Sequence, residues 1–205
     1  MTGLTNYVVV DLETTGFSPD TCDIIQICGW KVSQGVVIDK FCSYVRPHFY
    51  IPRTIQSITG ITNEALKDCE PIEVVLLDFF DFCGDFAFIG HNLSFDFEFL
   101  RIKGRRLGVD FTLNGTRTGI DTLKLCRKYA NLSSNKLQDV AIALNIPIEG
   151  VQFHNAESDV YVTKMIYDYF CINFPALSDV RIPELLTCMD KKYGKVVNND
   201  ALPLD

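Results

Sequence analysis

Residues 7–16 read Tyr7-Val8-Val9-Val10-Asp11-Leu12-Glu13-Thr14-Thr15-Gly16. Tyr7 to Val10 is an apolar, β-branched run of the kind that forms a buried strand. Asp11 and Glu13 continue it. Side chains two apart on a strand share a face, so two carboxylates stand side by side at the end of a buried strand. Carboxylates packed this closely repel one another and lose hydration unless a cation or a proton offsets the cost. An acid-x-acid pair on a strand is commonly a solvated face. The apolar run before this pair and the glycine turn after it point instead to a divalent-metal site.

Outward from this strand, the pattern predicts strands over 5–12, 24–32 and 36–45, the last two joined by a hairpin-like turn at Ser33-Gln34-Gly35. Pro47 and Pro52 mark a loop. Residues 55–61 lead into a short helix from near Asn63. Pro71 suits the first position of the next helix, where Ile72, Val75, Phe79 and Phe82 share a face. Phe86–Ile89 reads as a short buried strand, followed by a helix over about 94–103. Asp121 is an N-cap for a helix over 122–129. Helices over about 136–144 and 156–171 follow, and the pattern weakens beyond Pro175. Hairpin strands first and alternating strands and helices afterwards predict one α/β domain on a mixed sheet.

Two of these helices carry an acid where an apolar residue belongs. Asp96 shares a face with Leu93, Phe99 and Leu100. Asp159 aligns with Val162, Thr163, Ile166 and Phe170. A carboxylate in an apolar stripe is costly without a partner, although an acid in a first helical turn also gains from the helix dipole. With Asp11 and Glu13, four carboxylates from three distant segments can converge, and all-oxygen ligation suits Mg²⁺ or Mn²⁺. His154, one of three histidines, precedes Asp159 by five residues. A histidine is the side chain type suited to removing a proton from water near neutral pH. His91 reads as structural, and His48, in the proline-bounded loop, as exposed.

Composition narrows the field. The chain has 205 residues, 47% of them apolar, and no apolar run long enough to span a membrane. The N-terminus lacks a basic n-region, so a cytoplasmic address is the default. The eight cysteines form no Cys-x-x-Cys pair, and reduced thiols packed in the core are the plainer reading. The formal charge of −7 argues against broad electrostatic binding to nucleic acid. It does not exclude a nucleic-acid enzyme whose site carboxylates are offset by metal. Arg101, Lys103, Arg105 and Arg106 read as a solvated basic face, with a phosphate-contacting rim as the sharper alternative.

At this point the sequence resembles the DEDDh 3′→5′ exonucleases, the proofreading-subunit family with an RNase H-like fold. Three segments carry the resemblance: Asp11-Leu12-Glu13-Thr14-Thr15-Gly16, Gly90-His91-Asn92-Leu93-Ser94-Phe95-Asp96 and His154-Asn155-Ala156-Glu157-Ser158-Asp159. Residues 57–62 and 135–141 fit the same family. A sister class places a catalytic tyrosine four residues before the last aspartate, and here that position is Asn155. The resemblance implies an α/β, RNase H-like mixed sheet, antiparallel in its first three strands and parallel afterwards. It implies an exonuclease domain over 1–174 and a C-terminal tail over 175–205, partly ordered or partner-docking. Asp11, Glu13 and Asp159 would hold a first Mg²⁺ or Mn²⁺. Asp96 would support a second ion about 3.5–4 Å away, and His154 would be the general base. Thr14, Thr15, Gly60, Ile61 and Phe97 would line the pocket for the 3′-terminal nucleotide, and Asn92 would orient the motif around Asp96.

The implied reaction releases nucleoside 5′-monophosphates from a free 3′ end, DNA favoured over RNA. The enzyme would act alone or with a DNA polymerase subunit in trans. RNA 3′-end trimming is the alternative within the class. A non-catalytic nucleic-acid-binding or polymerase-associated module on the same fold is a further one, and an unrelated metal-binding α/β protein is the third.

Overall fold

The computed structural model describes residues 4–112 and 117–174. The expected tail at 175–205 lies outside the described residues. Five strands form one mixed sheet in the order β3-β2-β1-β4-β5: β1 (Asn6–Thr14), β2 (Ile24–Ser33), β3 (Val36–Tyr44), β4 (Ala87–Gly90) and β5 (Gly119–Asp121). β1 is central. It pairs antiparallel with β2 along its whole length and parallel with β4 over Tyr7–Val9 only. β5 continues the parallel half. This is the expected mixed RNase H-like sheet.

The β2–β3 turn is set by Gln34 and Gly35, whose φ angles of 52° and 80° are those of a tight hairpin matched to strand twist. β5 is a finding the pattern does not anticipate. Three residues are too few to show alternation, and the strand exists through its pairing with Phe88–Gly90.

Helices cover both faces. They are α1 (Arg53–Thr59), α2 (Asn63–Leu66), α3 (Ile72–Cys83), α4 (Leu93–Arg106), α5 (Thr122–Leu125), α6 (Leu137–Ala143) and α7 (Ala156–Asn173). Residues 53–59 form a helix of their own, ended by Gly60 at φ 73°, rather than a lead into α2. Pro71 is the N-cap of α3 instead of its first helical residue. The helix expected over 122–129 is a short α-helix that widens into a π-turn at Cys126–Ala130.

Strand alternation sorts the core into two layers. Tyr7 and Val9 pack with Val160, Val162, Ile166 and Phe170 of α7. Val8, Val10 and Leu12 pack on the opposite face with Phe79 of α3 and Phe99 and Leu100 of α4. Val8, Val9 and Val10 are wholly buried, as a strand covered on both faces requires. α3 lies close on β2: a Cβ at Gly29 would stand 2.9 Å from the Phe79 ring. Among the described residues no helix is long and apolar enough to cross a membrane.

Candidate active site

The same alternation that buries Tyr7 and Val9 carries Asp11 and Glu13 to the α7 face, at the C-terminal end of β1. There α7 begins, with Asp159 in its first turn. One carboxylate oxygen each from Asp11, Glu13 and Asp159 lies within 4.8 Å of the others. Asp159 is 8% exposed, and its Oδ1 is buried without a hydrogen-bond partner. Its Oδ2 accepts the His154 amide at 3.2 Å. Three carboxylates this close, one of them with a buried oxygen that has no hydrogen-bond partner, fit a divalent cation, which would offset their charge.

Asp96 reaches the same strand from the other layer. β1 extends beyond its parallel partner β4, leaving part of one edge open, and Asp96 Oδ1 accepts the Leu12 amide there at 3.1 Å. Asp96 therefore binds between the two strand carboxylates, although it lies outside the three-residue cluster.

The electrostatics record the crowding. Burial, then the charges of Asp96, Asp159 and Glu13, push Asp11 well above the carboxylate range. Burial and the Asp159 charge push Glu13 up to about 7. Burial pushes Asp159 up to about 6, opposed by the His154 amide. Burial raises Asp96 well above its ordinary value, against the pull of backbone amides, including that of Leu12.

Two residues at the site hold left-handed backbone: His154 at φ 61° and Asn92 at φ 69°. Such conformations are uncommon outside glycine, and Asn and His tolerate them best. His154 is exposed and leads straight into α7. Asn92 is the N-cap of α4, and its amide donates to Asp121 Oδ1 at 2.9 Å. Asp121 also accepts from the Leu123 amide, so the expected cap ties two helix starts together. His91 bridges Thr122 and the Asn135 carbonyl, as a structural histidine does.

The other candidate residues make contacts of their own outside the three-carboxylate cluster. Thr14 donates to the Gly16 carbonyl and Thr15 accepts the Asp23 amide, so both shape the loop after β1. Gly60 is exposed. Ile61 packs into a small cluster with Ile25, Ile51 and Leu66. Phe97 is partly buried beside Phe111.

With this geometry in hand, comparison with known proteins is decisive. A family model described as exonuclease matches residues 8–167. The DNA polymerase III PolC-type proteins of Staphylococcus haemolyticus (strain JCSC1435) and Staphylococcus aureus are each 38% identical over 161 residues. The chain belongs to the DEDDh-type exonuclease family. The matched segment is 78% of this chain and 11% of those relatives, so the chain spans about a tenth of their length. Among solved structures, E. coli exonuclease I in complex with a dT13 oligonucleotide aligns with a TM-score of 0.76 at 20% identity, covering 85% of this chain and 43% of that one. Exonuclease X in complex with 5′-overhanging duplex DNA aligns at 0.62 and 22% identity, covering 82% and 92%. Both share the fold.

Three features of this exonuclease-family chain depart from the sequence reading. The basic face is mostly committed: Lys103 is 7% exposed and paired with Asp23, Arg101 binds Glu98, and Arg106 binds Asp20. The partner that offsets burial of Lys103 lies 80 residues away in sequence, where no local pattern shows it. Cys28 and Cys42 lie directly opposite one another on β2 and β3 and form a disulfide, where reduced thiols are expected. Phe17 is 89% exposed and stands edge-on to Phe95, the neighbour of Asp96 in sequence. Its signal is a large apolar residue just past a glycine turn, where no core needs it.

Proposed function

We propose that this chain is a metal-dependent 3′→5′ exonuclease that releases nucleoside 5′-monophosphates from DNA ends. The observation that carries the reading is the convergence of Asp11, Glu13 and Asp159, one of which, Asp159, keeps a buried oxygen without a hydrogen-bond partner. Asp11, Glu13 and Asp159 would hold a first Mg²⁺ or Mn²⁺ and Asp96 would serve a second. When bound, such ions stabilise the attacking and leaving oxygens of an in-line displacement at phosphorus.

His154 takes the proton of the attacking water. The new P–O bond forms as the bond from phosphorus to the penultimate 3′-oxygen breaks, and that oxygen ends protonated. The terminal nucleotide leaves with its 5′-phosphate. Two observations support this role: the His154 amide donates to Asp159, and the residue is exposed. Thr14, Thr15, Gly60, Ile61, Asn92 and Phe97 surround the terminal nucleotide, and Phe17 offers a face on which a base can stack.

DNA is favoured because the relatives are named as DNA polymerases and the structural neighbours were solved with DNA. The PolC-type likeness also supports cooperation with a polymerase, and a cytoplasmic location follows from that role. The test is degradation of labelled single-stranded DNA and RNA with Mg²⁺, Mn²⁺ or EDTA. Stepwise release of mononucleotides from DNA, abolished by EDTA and by Asp11→Ala, is expected. Wild-type rates in Asp11→Ala or in EDTA would refute the reading, and preference for RNA would reassign the substrate.

A further inference from the structure

Gln26 is a polar residue in the most buried part of β2, 3% exposed, and it stands directly opposite Glu13 in the β1–β2 register. Its Oε1 accepts the Ala156 amide at 3.2 Å, across 130 residues of sequence. Ala156 is the first residue of α7 and is fully buried. An N–H can be met only by an acceptor, so this contact also fixes which way the Gln26 amide faces. Its Nε2 turns to the Cys42 sulfur at 3.6 Å.

The first four amides of a helix have no partner within it. Here Asn155 Oδ1 accepts from Glu157 and Ser158, the helix's own first bond runs from the Asp159 amide to the Asn155 carbonyl, and Gln26 takes the otherwise unpartnered amide of Ala156. The first three bonds are local to the turn. The Gln26 bond alone among the four ties the turn to the sheet. Two residues before Ala156 is His154, and three after it is Asp159.

We propose that Gln26 is a positioning residue: by pinning the first amide of α7 to β2 opposite Glu13, it sets where Asp159 and His154 stand relative to Asp11 and Glu13. The proposal rests on the reading of those four residues as metal ligands and base. Gln26 touches neither substrate nor metal and acts through α7. Supporting groups of this kind are worth about 10–100-fold in metal affinity or activity.

The experiment compares Mn²⁺ binding, followed by the electron paramagnetic resonance of free Mn²⁺, in wild type, Gln26→Met and Gln26→Glu. Methionine keeps the length and removes the acceptor, whereas glutamate keeps the acceptor. Gln26→Met is expected to weaken Mn²⁺ binding about 10–100-fold, with KM for single-stranded DNA at saturating Mn²⁺ unchanged, and Gln26→Glu to recover most of the loss. Wild-type Mn²⁺ affinity in Gln26→Met, or equal losses in both variants, would overturn the proposal. Absence of Mn²⁺ binding in the wild type would overturn the underlying reading as well. Hydrogen exchange of the Ala156 amide in the unmutated protein gives a second readout that does not depend on a variant folding. Strong protection is expected, and exchange at the rate of a free amide would contradict the pinning contact.

Discussion

Asp159 concentrates the conflict between stability and function in one side chain. It is desolvated, faces like charges and leaves one oxygen unpartnered. Asp159→Asn is therefore expected to lower kcat by several orders of magnitude while raising the melting temperature of the metal-free protein near pH 7.5. Parallel activity and melting measurements check this, and a variant that is both active and no more stable would contradict it. The pH dependence follows with its sign. Glu13 and Asp159 titrate near 7 and 6 in the folded chain, above ordinary values of 4.5 and 3.8. The folded state then holds more protons between those limits, so their contribution to stability is full below about pH 4 and is lost as pH rises through 6 to 7. Metal-free melting temperature should fall across that window, and fall less in Asp159→Asn. His154→Ala should lower kcat about 10²–10⁴-fold with KM little changed, as loss of a general base does. The four carboxylates stand out in the sequence because each breaks a local rule, an acid in an apolar stripe or a pair at a strand end, whereas His154 is singled out only by its spacing to Asp159. Gln26 breaks the same rule more quietly, since one amide among apolar neighbours carries no charge to account for.

At the scale of elements, the start of α7 is held by bonds both within its own turn and to β2. Asn155 caps it through Glu157 and Ser158. Asn155→Ala should cost about 0.5–2 kcal/mol, read as a lower denaturation midpoint at unchanged slope. No change would mean that the cap is satisfied elsewhere. Long periodic elements such as α3, α7 and the first three strands are visible in the sequence because their patterns repeat. β5 and α1 are not: a three-residue strand is made by its neighbour, and α1 carries neither a capping side chain nor a long stripe. Lys103 misleads for a related reason. It lies in a run of basic residues, yet its partner Asp23 stands 80 positions away.

Across the whole molecule, sheet topology does the assembling. β1 is central, β4 stops short of its end, and α4 and α7 approach that end from opposite layers. The order of strands and helices could be read along the chain, but the meeting of 11, 13, 96 and 159 is a property of the closed fold. The chain carries a formal charge of −7 and most of its basic residues near α4 are paired internally. Few phosphates can then be neutralised by lysine or arginine. The affinity for single-stranded DNA should fall only gently with salt, with a slope set by roughly two or three phosphates at about −0.7 each. A salt series of KM at fixed metal checks this, and a steep slope would contradict it.

The central claim is that carboxylates from β1 and α7 meet around a shared cation. The most direct measurement is anomalous diffraction at the manganese edge from crystals equilibrated with Mn²⁺. The account predicts a peak bonded to Asp11, Glu13 and Asp159, with a second on the side of Asp96. Manganese bound elsewhere, or no peak among these oxygens at saturating Mn²⁺, would contradict it.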